Sequence, residues 1–553
     1  METAPMLLLL QRAAAPPSGW RRQAVRGQDG RGAPNRVAFR RARQGGGCRD
    51  LRAAGLGWFF GGGGDHNNKN HEVDEFAPAR LFVGLPIDSV TDGATVNGAA
   101  AVAAGIRAVR LLGADGVELP VFWSVAQPES PDRFSWAGYR AVADMVRAEG
   151  LSLRVSLRAH GTPGGGVPTL PAWVSGVAAD DPDIFFTDRS GARHEGCLSF
   201  AIDELPVLHG KSPLQLYEAF FRSFAAAFED FFDDSTITDV TVGLGVHGVL
   251  RYPSYPPGSD AGKFTGVGEF QCYDKYMLAQ LRREAEEAGN AMWGLSGPHD
   301  APRYHESPNS CGFFRERGGS WETPYGDFFL SWYAGQLVGH GDRVLGVASA
   351  VFGGKPAELS AKIPFMHWWH GAQSRPAELS AKIPFMHWWH GAQSRPAEVA
   401  AGFYKSNRKN GYSPVAKMFA RHGCTMVVPG MDVCMNKQHH SAGSSPDQLL
   451  VQIKNACRRH GARIAGENAS LVMTHTSSFS RIRSNILTTE LMRPCHFTYQ
   501  RMGADFFSPD HFPHFMEFVR SVVCGEWNED DGPADEDRAM AAASGSAKAA
   551  TEA

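Results

Sequence analysis

The chain has no apolar run near the roughly 18 residues that a membrane-spanning helix requires, so no membrane partner is expected. It also lacks a charge of one sign. Lys and Arg number 55 against 58 Asp and Glu, a net of −3, which gives no electrostatic basis for binding nucleic acid. Nine cysteines are scattered with no Cys-x-x-Cys pair, which argues against a zinc ribbon or a disulfide framework and for reduced thiols. No Gly-x-Ser-x-Gly elbow is present. The glycine runs Gly61–Gly64 and Gly164–Gly166 lack the flanking strand and helix of a phosphate loop. The histidines of His367-Trp-Trp-His370 and His387-Trp-Trp-His390 fall at i and i+3, on opposite faces of a strand, and do not converge on a metal. No metal and no cofactor are expected.

What is present is an ordinary globular composition, 43% hydrophobic and 20% charged. Eight short β-rich runs can be read between residues 80 and 500: Leu81–Leu85, Val117–Phe122, Leu151–Leu157, Asp239–Leu244, Ile383–Trp388, Thr425–Pro429, Arg463–Gly466 and His496–Tyr499. Most are followed by an amphipathic stretch, such as Ala137–Ala148, Pro213–Phe232 and Pro446–Arg459. Alternation of strand and helix predicts a parallel sheet, either an open doubly wound one or, with eight units, a closed (β/α)₈ barrel over residues 80–524.

The flanks differ in composition. Residues 1–75 carry eleven arginines from Arg12 to Arg52 against Glu2, Asp29 and Asp50 before residue 55, and read as an organelle transit peptide or a plain disordered leader. Ser18 is the only serine before residue 75, which is atypical of transit peptides. Residues 525–553 begin with an acidic run and end in Ala, Ser and Gly, the composition of a disordered tail.

One feature fits no barrel pattern. Residues 356–375 are repeated without change as 376–395. A ninth strand would alter barrel closure, so one copy must be extruded. Since the second copy runs directly into Pro396-Ala-Glu-Val-Ala-Ala-Gly402, strand five is assigned to that copy and 356–375 is treated as an insertion.

The segment Gly243-Leu-Gly-Val-His-Gly-Val-Leu-Arg-Tyr-Pro-Ser-Tyr255 resembles the signature of the plant β-amylases, the inverting glucan hydrolases that release maltose from starch. The resemblance runs from about Leu81 to Val523, through Leu81-Phe-Val-Gly-Leu-Pro86, Asp181-Pro-Asp-Ile-Phe-Phe-Thr-Asp-Arg-Ser-Gly-Ala192, Gly266-Val-Gly-Glu-Phe-Gln-Cys-Tyr-Asp-Lys-Tyr276, Phe328-Phe-Leu-Ser-Trp-Tyr333, His387-Trp-Trp389, Ala465-Gly-Glu-Asn-Ala469 and Phe497-Thr-Tyr499. It implies the closed barrel over the open sheet, and a plastid location for a chain with such a leader.

The resemblance also implies a site, and the site is altered. Inverting glycosidases need two carboxyl groups, one to protonate the leaving oxygen and one to activate water. The general-acid position is Val249, whose isopropyl group can do neither. Glu467 stands at the general-base position, and Asn468, Ala469 and Arg501 stand where the family contacts glucan. Other family contacts are replaced: an aspartate by Pro120, a histidine by Arg158, a lysine and a histidine after strand five by Gly391 and Arg395, a threonine by Pro429. The lid motif is shortened to Gly161-Thr-Pro-Gly-Gly-Gly166, without its aspartate. His247 could in principle donate a proton, but a locally bonded loop histidine is the commoner case.

Two functional readings follow. The first is a non-catalytic member of the β-amylase family that regulates starch breakdown, binding α-1,4-glucan weakly or meeting other starch-degrading proteins, most like the inactive plastid-type members. The second is an active 1,4-α-glucan maltohydrolase with a rearranged acid.

Overall fold

A computed structural model describes residues 79–91, 93, 95–161, 168–256, 266–366, 395–404, 411–434, 443–469, 476–487 and 492–524. The leader and tail lie outside these residues. Eight parallel strands close into a barrel: β1 (Arg80–Gly84), β2 (Gly116–Phe122), β3 (Ser152–Arg158), β6 (Ile237–Val242), β7 (Glu358–Lys362), β8 (Thr425–Val428), β9 (Ile464–Glu467) and β10 (His496–Tyr499), with β10 pairing back onto β1. A small antiparallel pair, β4 (Phe185–Thr187) and β5 (Arg193–Leu198), sits in the connection between β3 and β6.

Each barrel strand is followed by a helix, as parallel neighbours require. In chain order the longer ones are α1 (Ala99–Leu112), α2 (Ala137–Ala148), α3 (Pro213–Ala227), α4 (Lys275–Glu287), α5 (Pro324–Phe352), α6 (Ser413–Arg421), α7 (Pro446–His460), α8 (Thr476–Leu487) and α9 (Phe512–Cys524). Local chemistry sets several of their ends. Ser212 and Gln215 form a reciprocal capping box ahead of Pro213, and the Asp274 carboxylate accepts from the amides of Tyr276 and Met277 to start α4. Gly461 closes α7 in a left-handed conformation. Among the described residues no helix is long and apolar enough to cross a membrane.

Alternation along the strands divides the molecule in two. On β3, Leu153, Val155 and Leu157 face one way and join the hydrophobic core, while Arg154, Ser156 and Arg158 face the other and are also buried. The apolar set belongs to the helix-facing side. The polar set fills the barrel interior, where branched aliphatic side chains are the usual filling. Buried Glu118, Asp239, Thr241, Ser360, Lys362, Glu467, His496 and Thr498 come from alternate positions of the other strands.

The duplicated segment is placed differently from expectation. The slot between β6 and β8 is filled by Glu358–Lys362 of the first copy, which pairs with Asp239–Val242 on one side and Thr425–Val427 on the other. Ile383–Trp388, assigned above as strand five, lies outside the described residues, and residues 356–375 are therefore not simply an insertion. The second copy contributes its last residue, Arg395, which leads into the short helix Pro396–Ala400. Chain continuity explains the choice: α5 ends at Phe352, only a few residues before the first copy, and short connections are favoured. The strand also sits nearer the start of the repeat than the apolar run Ile-Pro-Phe-Met suggests, because a charged barrel interior takes Glu358 and Lys362 in preference to an apolar segment.

Because the copies are identical, removing either one gives the same polypeptide. That deletion variant should fold to the same barrel and melt at the same or a higher temperature than the full chain, as read by circular dichroism during heating. A clearly lower melting temperature would show that the second copy contributes to the core.

Candidate active site

Three polar layers rise through the barrel. At the bottom, Arg80 makes two hydrogen bonds of 2.9 Å to the Asp239 carboxylate and a third, of 3.1 Å, to Glu358, which Arg463 also contacts at 3.0 Å. In the middle, buried Arg154 donates to Thr241 Oγ1 and Ser360 Oγ, each at 3.0 Å, and to His496 Nε2. Burial, then the charge of Arg154, holds the His496 imidazole well below its usual range, so it is a neutral acceptor. Glu358, Cys495 and His496 offer ligand atoms within 4.8 Å of one another. With Arg80 and Arg463 already on Glu358 and Arg154 on His496, that group is surrounded by cations and does not suit a metal.

The top layer lies at the C-terminal ends of the strands, where barrel enzymes carry their chemistry. Lys362, the last residue of β7, points its ammonium between two carboxylates: Nζ is 3.0 Å from Glu118 Oε1 and 2.6 Å from Glu467 Oε1. Gln500 Nε2 donates to the same two oxygens, at 3.0 and 3.3 Å. Arg154 approaches the other Glu118 oxygen at 3.3 Å, and Arg158 comes within 3.9 Å. Burial alone would push the Glu118 carboxyl up, but Lys362, Arg154 and Arg158 outweigh it and hold it at about 2.

The expected site residues gather around this layer. Glu467 ends β9 and is buried. The Asn468 side chain exchanges hydrogen bonds with the Gln500 backbone, donating to its carbonyl at 2.5 Å and accepting from its amide at 2.7 Å. The Ala469 amide donates to Asp432 at 2.6 Å, and Arg501 donates to Gln500 Oε1 at 2.7 Å. Val249 is half-buried and extended. It bridges in parallel to Lys362 after a turn in which His247 and Gly248 have φ of 56° and 76°. Glycine suits position 248 because of its positive φ, and a Cβ there would only touch the Arg158 side chain, at 3.5 Å. Val249 thus bridges to the Lys362 backbone while Glu467 pairs with the Lys362 ammonium.

The substituted positions fall into two groups. Pro120 lies inside β2, beyond Glu118, where the pairing with β1 ends, so its missing N–H leaves that ladder intact. Arg158 ends β3 and turns into the mouth. Arg395 does not reach the site: it caps Pro396–Ala400, pairs with buried Glu398 at 3.1 Å and donates to Ser445 and Gln452. Pro429 follows β8 and is half-buried. Gly391 and the lid residues 162–166 lie outside the described residues. Trp123 follows β2, yet it is fully buried against Trp173 and Tyr217, so it offers no platform for a sugar. Sequence reasoning misses Glu118, Lys362 and Gln500, although for Glu118 and Lys362 a charged residue at an alternate position of a strand is a visible signal.

Replacing Lys362 by Met should leave the two carboxylates facing one another without their shared cation. Breaking a buried pair in this way destabilises by about 3–5 kcal/mol, which urea unfolding at neutral pH would show. The pH dependence gives an independent check. The depressed Glu118 carboxyl contributes stability that is fully present above about 4.5 and is lost as the pH falls through about 2. In Lys362→Met that slope should flatten.

This geometry agrees with the relatives of the chain. The family described as "Glycosyl hydrolase family 14" matches residues 82–378 and again 371–526, the two matches overlapping inside the duplicated segment. Among named proteins, "Inactive beta-amylase 9" of Arabidopsis thaliana is 45% identical over 82% of this chain and 79% of its own length. "Beta-amylase 2, chloroplastic" of Oryza sativa subsp. japonica is 37% identical over 80% and 77%. The catalytic domain of the β-amylase from Paenibacillus polymyxa superposes with a TM-score of 0.61 at 23% identity, covering 81% of this chain and all of the other, a likeness of fold. By its sequence and its closed barrel, the chain belongs to glycosyl hydrolase family 14, the β-amylases.

Proposed function

We propose that this protein is a non-hydrolytic member of the family that acts in starch breakdown as a regulator, through glucan or partner proteins. The observation that carries this reading is the pairing of Val249 at the acid position with a Glu467 oxygen held 2.6 Å from Lys362. Inversion needs an acid whose carboxyl stays protonated near neutral pH. Glu118, the other carboxyl in this ion-pair cluster, is held in the opposite state, at about 2. The similarity to a protein named as inactive supports the same reading. A plastid location is supported by the arginine-rich leader and by relatives named chloroplastic. The rival reading, an active maltohydrolase, rests on the retention of Glu467 alone.

Purified protein incubated with soluble starch should release no maltose. Loss of a general acid alone lowers the rate about 10²–10⁴-fold, and the altered lid and sugar contacts add to that. Val249→Glu should therefore fail to restore activity by itself. Maltose release by the natural chain at ordinary glycosidase rates would sink the proposal, and strong activity in the single variant would show the supporting residues to be dispensable.

Linear glucan should bind in the millimolar range or weaker, on the order of −4 kcal/mol. The Asn468 side chain is engaged by the Gln500 backbone, and glucose hydroxyls buried without partners cost about 1–3 kcal/mol each. Titration with maltoheptaose should give weak binding that Arg501→Ala weakens further. Micromolar affinity, or indifference to the substitution, would overturn this account and with it the emphasis on protein partners.

A further inference from the structure

The top layer of the barrel is not electrically balanced. Arg154, Arg158, Lys362 and Arg501 are linked by ion pairs and hydrogen bonds to only two carboxylates, Glu118 and Glu467. In the bottom layer, by contrast, Arg80 and Arg463 are matched by Asp239 and Glu358. Asp432 at the rim accepts from the Ala469 amide, and counting it still leaves an excess of positive charge among the described residues.

The excess sits on two guanidinium groups. Lys362 is engaged by both carboxylates, and Arg154 by Thr241, Ser360, His496 and Glu118. Arg158 is 4% exposed, yet among the described residues its one hydrogen bond runs from Nε to Ser156 Oγ at 3.3 Å, and its terminal nitrogens donate none. Arg501 donates from one terminal nitrogen to Gln500, while its Nε is buried with no partner among the described residues. Burial first, then the charge of Arg158, lowers Arg501 to about 10, which leaves it charged at neutral pH. Two neighbouring cations with spare donors at the mouth of a barrel form a preorganised receptor for a compact oxyanion, and guanidinium forks match phosphate oxygens best.

We infer that the barrel mouth binds a phosphate group between Arg158 and Arg501, either as inorganic phosphate or as the phosphate of a sugar monoester. This goes beyond the loss of hydrolysis and does not rest on it, since the donors and their charge are present whatever Glu467 can still do. Val249 adds to the case: it leaves the turn that packs on Arg158 without a carboxylate.

Isothermal titration at constant ionic strength would test it, with inorganic phosphate and glucose 6-phosphate as probes and chloride, glucose and maltose as controls. Saturable binding of either phosphate compound, absent for the controls, is the expected result. Binding of both, of inorganic phosphate alone or of the ester alone would identify which source the site accepts. Arg158→Gln and Arg501→Gln should each weaken that binding roughly 10–100-fold, the loss of a charge-assisted hydrogen bond. Val249→Glu keeps both arginines and supplies a carboxylate beside Arg158, so it should also weaken phosphate binding and remains informative if an arginine variant does not fold. No binding of either probe, binding matched by chloride, or an affinity unchanged in Arg158→Gln and Val249→Glu would overturn the inference.

Discussion

The ammonium of Lys362, shared between Glu118 and Glu467, is the constraint from which the rest of the site follows. Three side chains from β2, β7 and β9 meet inside the barrel with almost no exposure. Charges removed from water in this way are tolerable only when paired and hydrogen-bonded, and Gln500 completes the arrangement from the end of β10. The same contacts that make the cluster stable engage Oε1 of Glu467 and fix its carboxylate in place.

The charge balance of the top layer reaches beyond the Lys362 cluster. Val249 brings no charge to the turn beside Arg158, and the layer holds more cationic than anionic side chains among the described residues. Arg158 and Arg501 are then buried beside one another with too few counter-charges, which is why burial and neighbouring charge lower Arg501 and burial lowers Arg158.

Much of this was legible in the sequence. The barrel followed from eight alternating units and the family motifs, and seven of the eight strand positions fell within a few residues of the observed ones, because their apolar runs coincide with the helix-facing side. Strand five failed for the reason the others succeeded. Its residues Glu-Leu-Ser-Ala-Lys are polar at the positions facing the barrel interior, so apolar content pointed further along the repeat, and continuity with Pro396 pointed to the second copy in place of the first. Arg395, read from its motif position as the replacement of a family histidine after strand five, is the residue before a short helix and pairs with buried Glu398 three residues on. The convergence of Glu118, Lys362, Glu467 and Gln500 could not be read at all, since it joins residues from 33 to 382 positions apart through barrel closure.

The placement of the repeat shows how a barrel absorbs extra chain. The first copy supplies the strand and the second supplies Arg395, so the added length falls between the end of β7 and the next helix. That connection spans 32 residues, from 363 to 394, and would span 12 with a single copy. Loop-closure entropy grows only with the logarithm of length, so the extra chain costs on the order of 1 kcal/mol, while strand number and closure are unchanged. An added strand would have broken the barrel; an added connection does not. The connection also leaves β7 at Lys362, on the face where the strand ends carry the site.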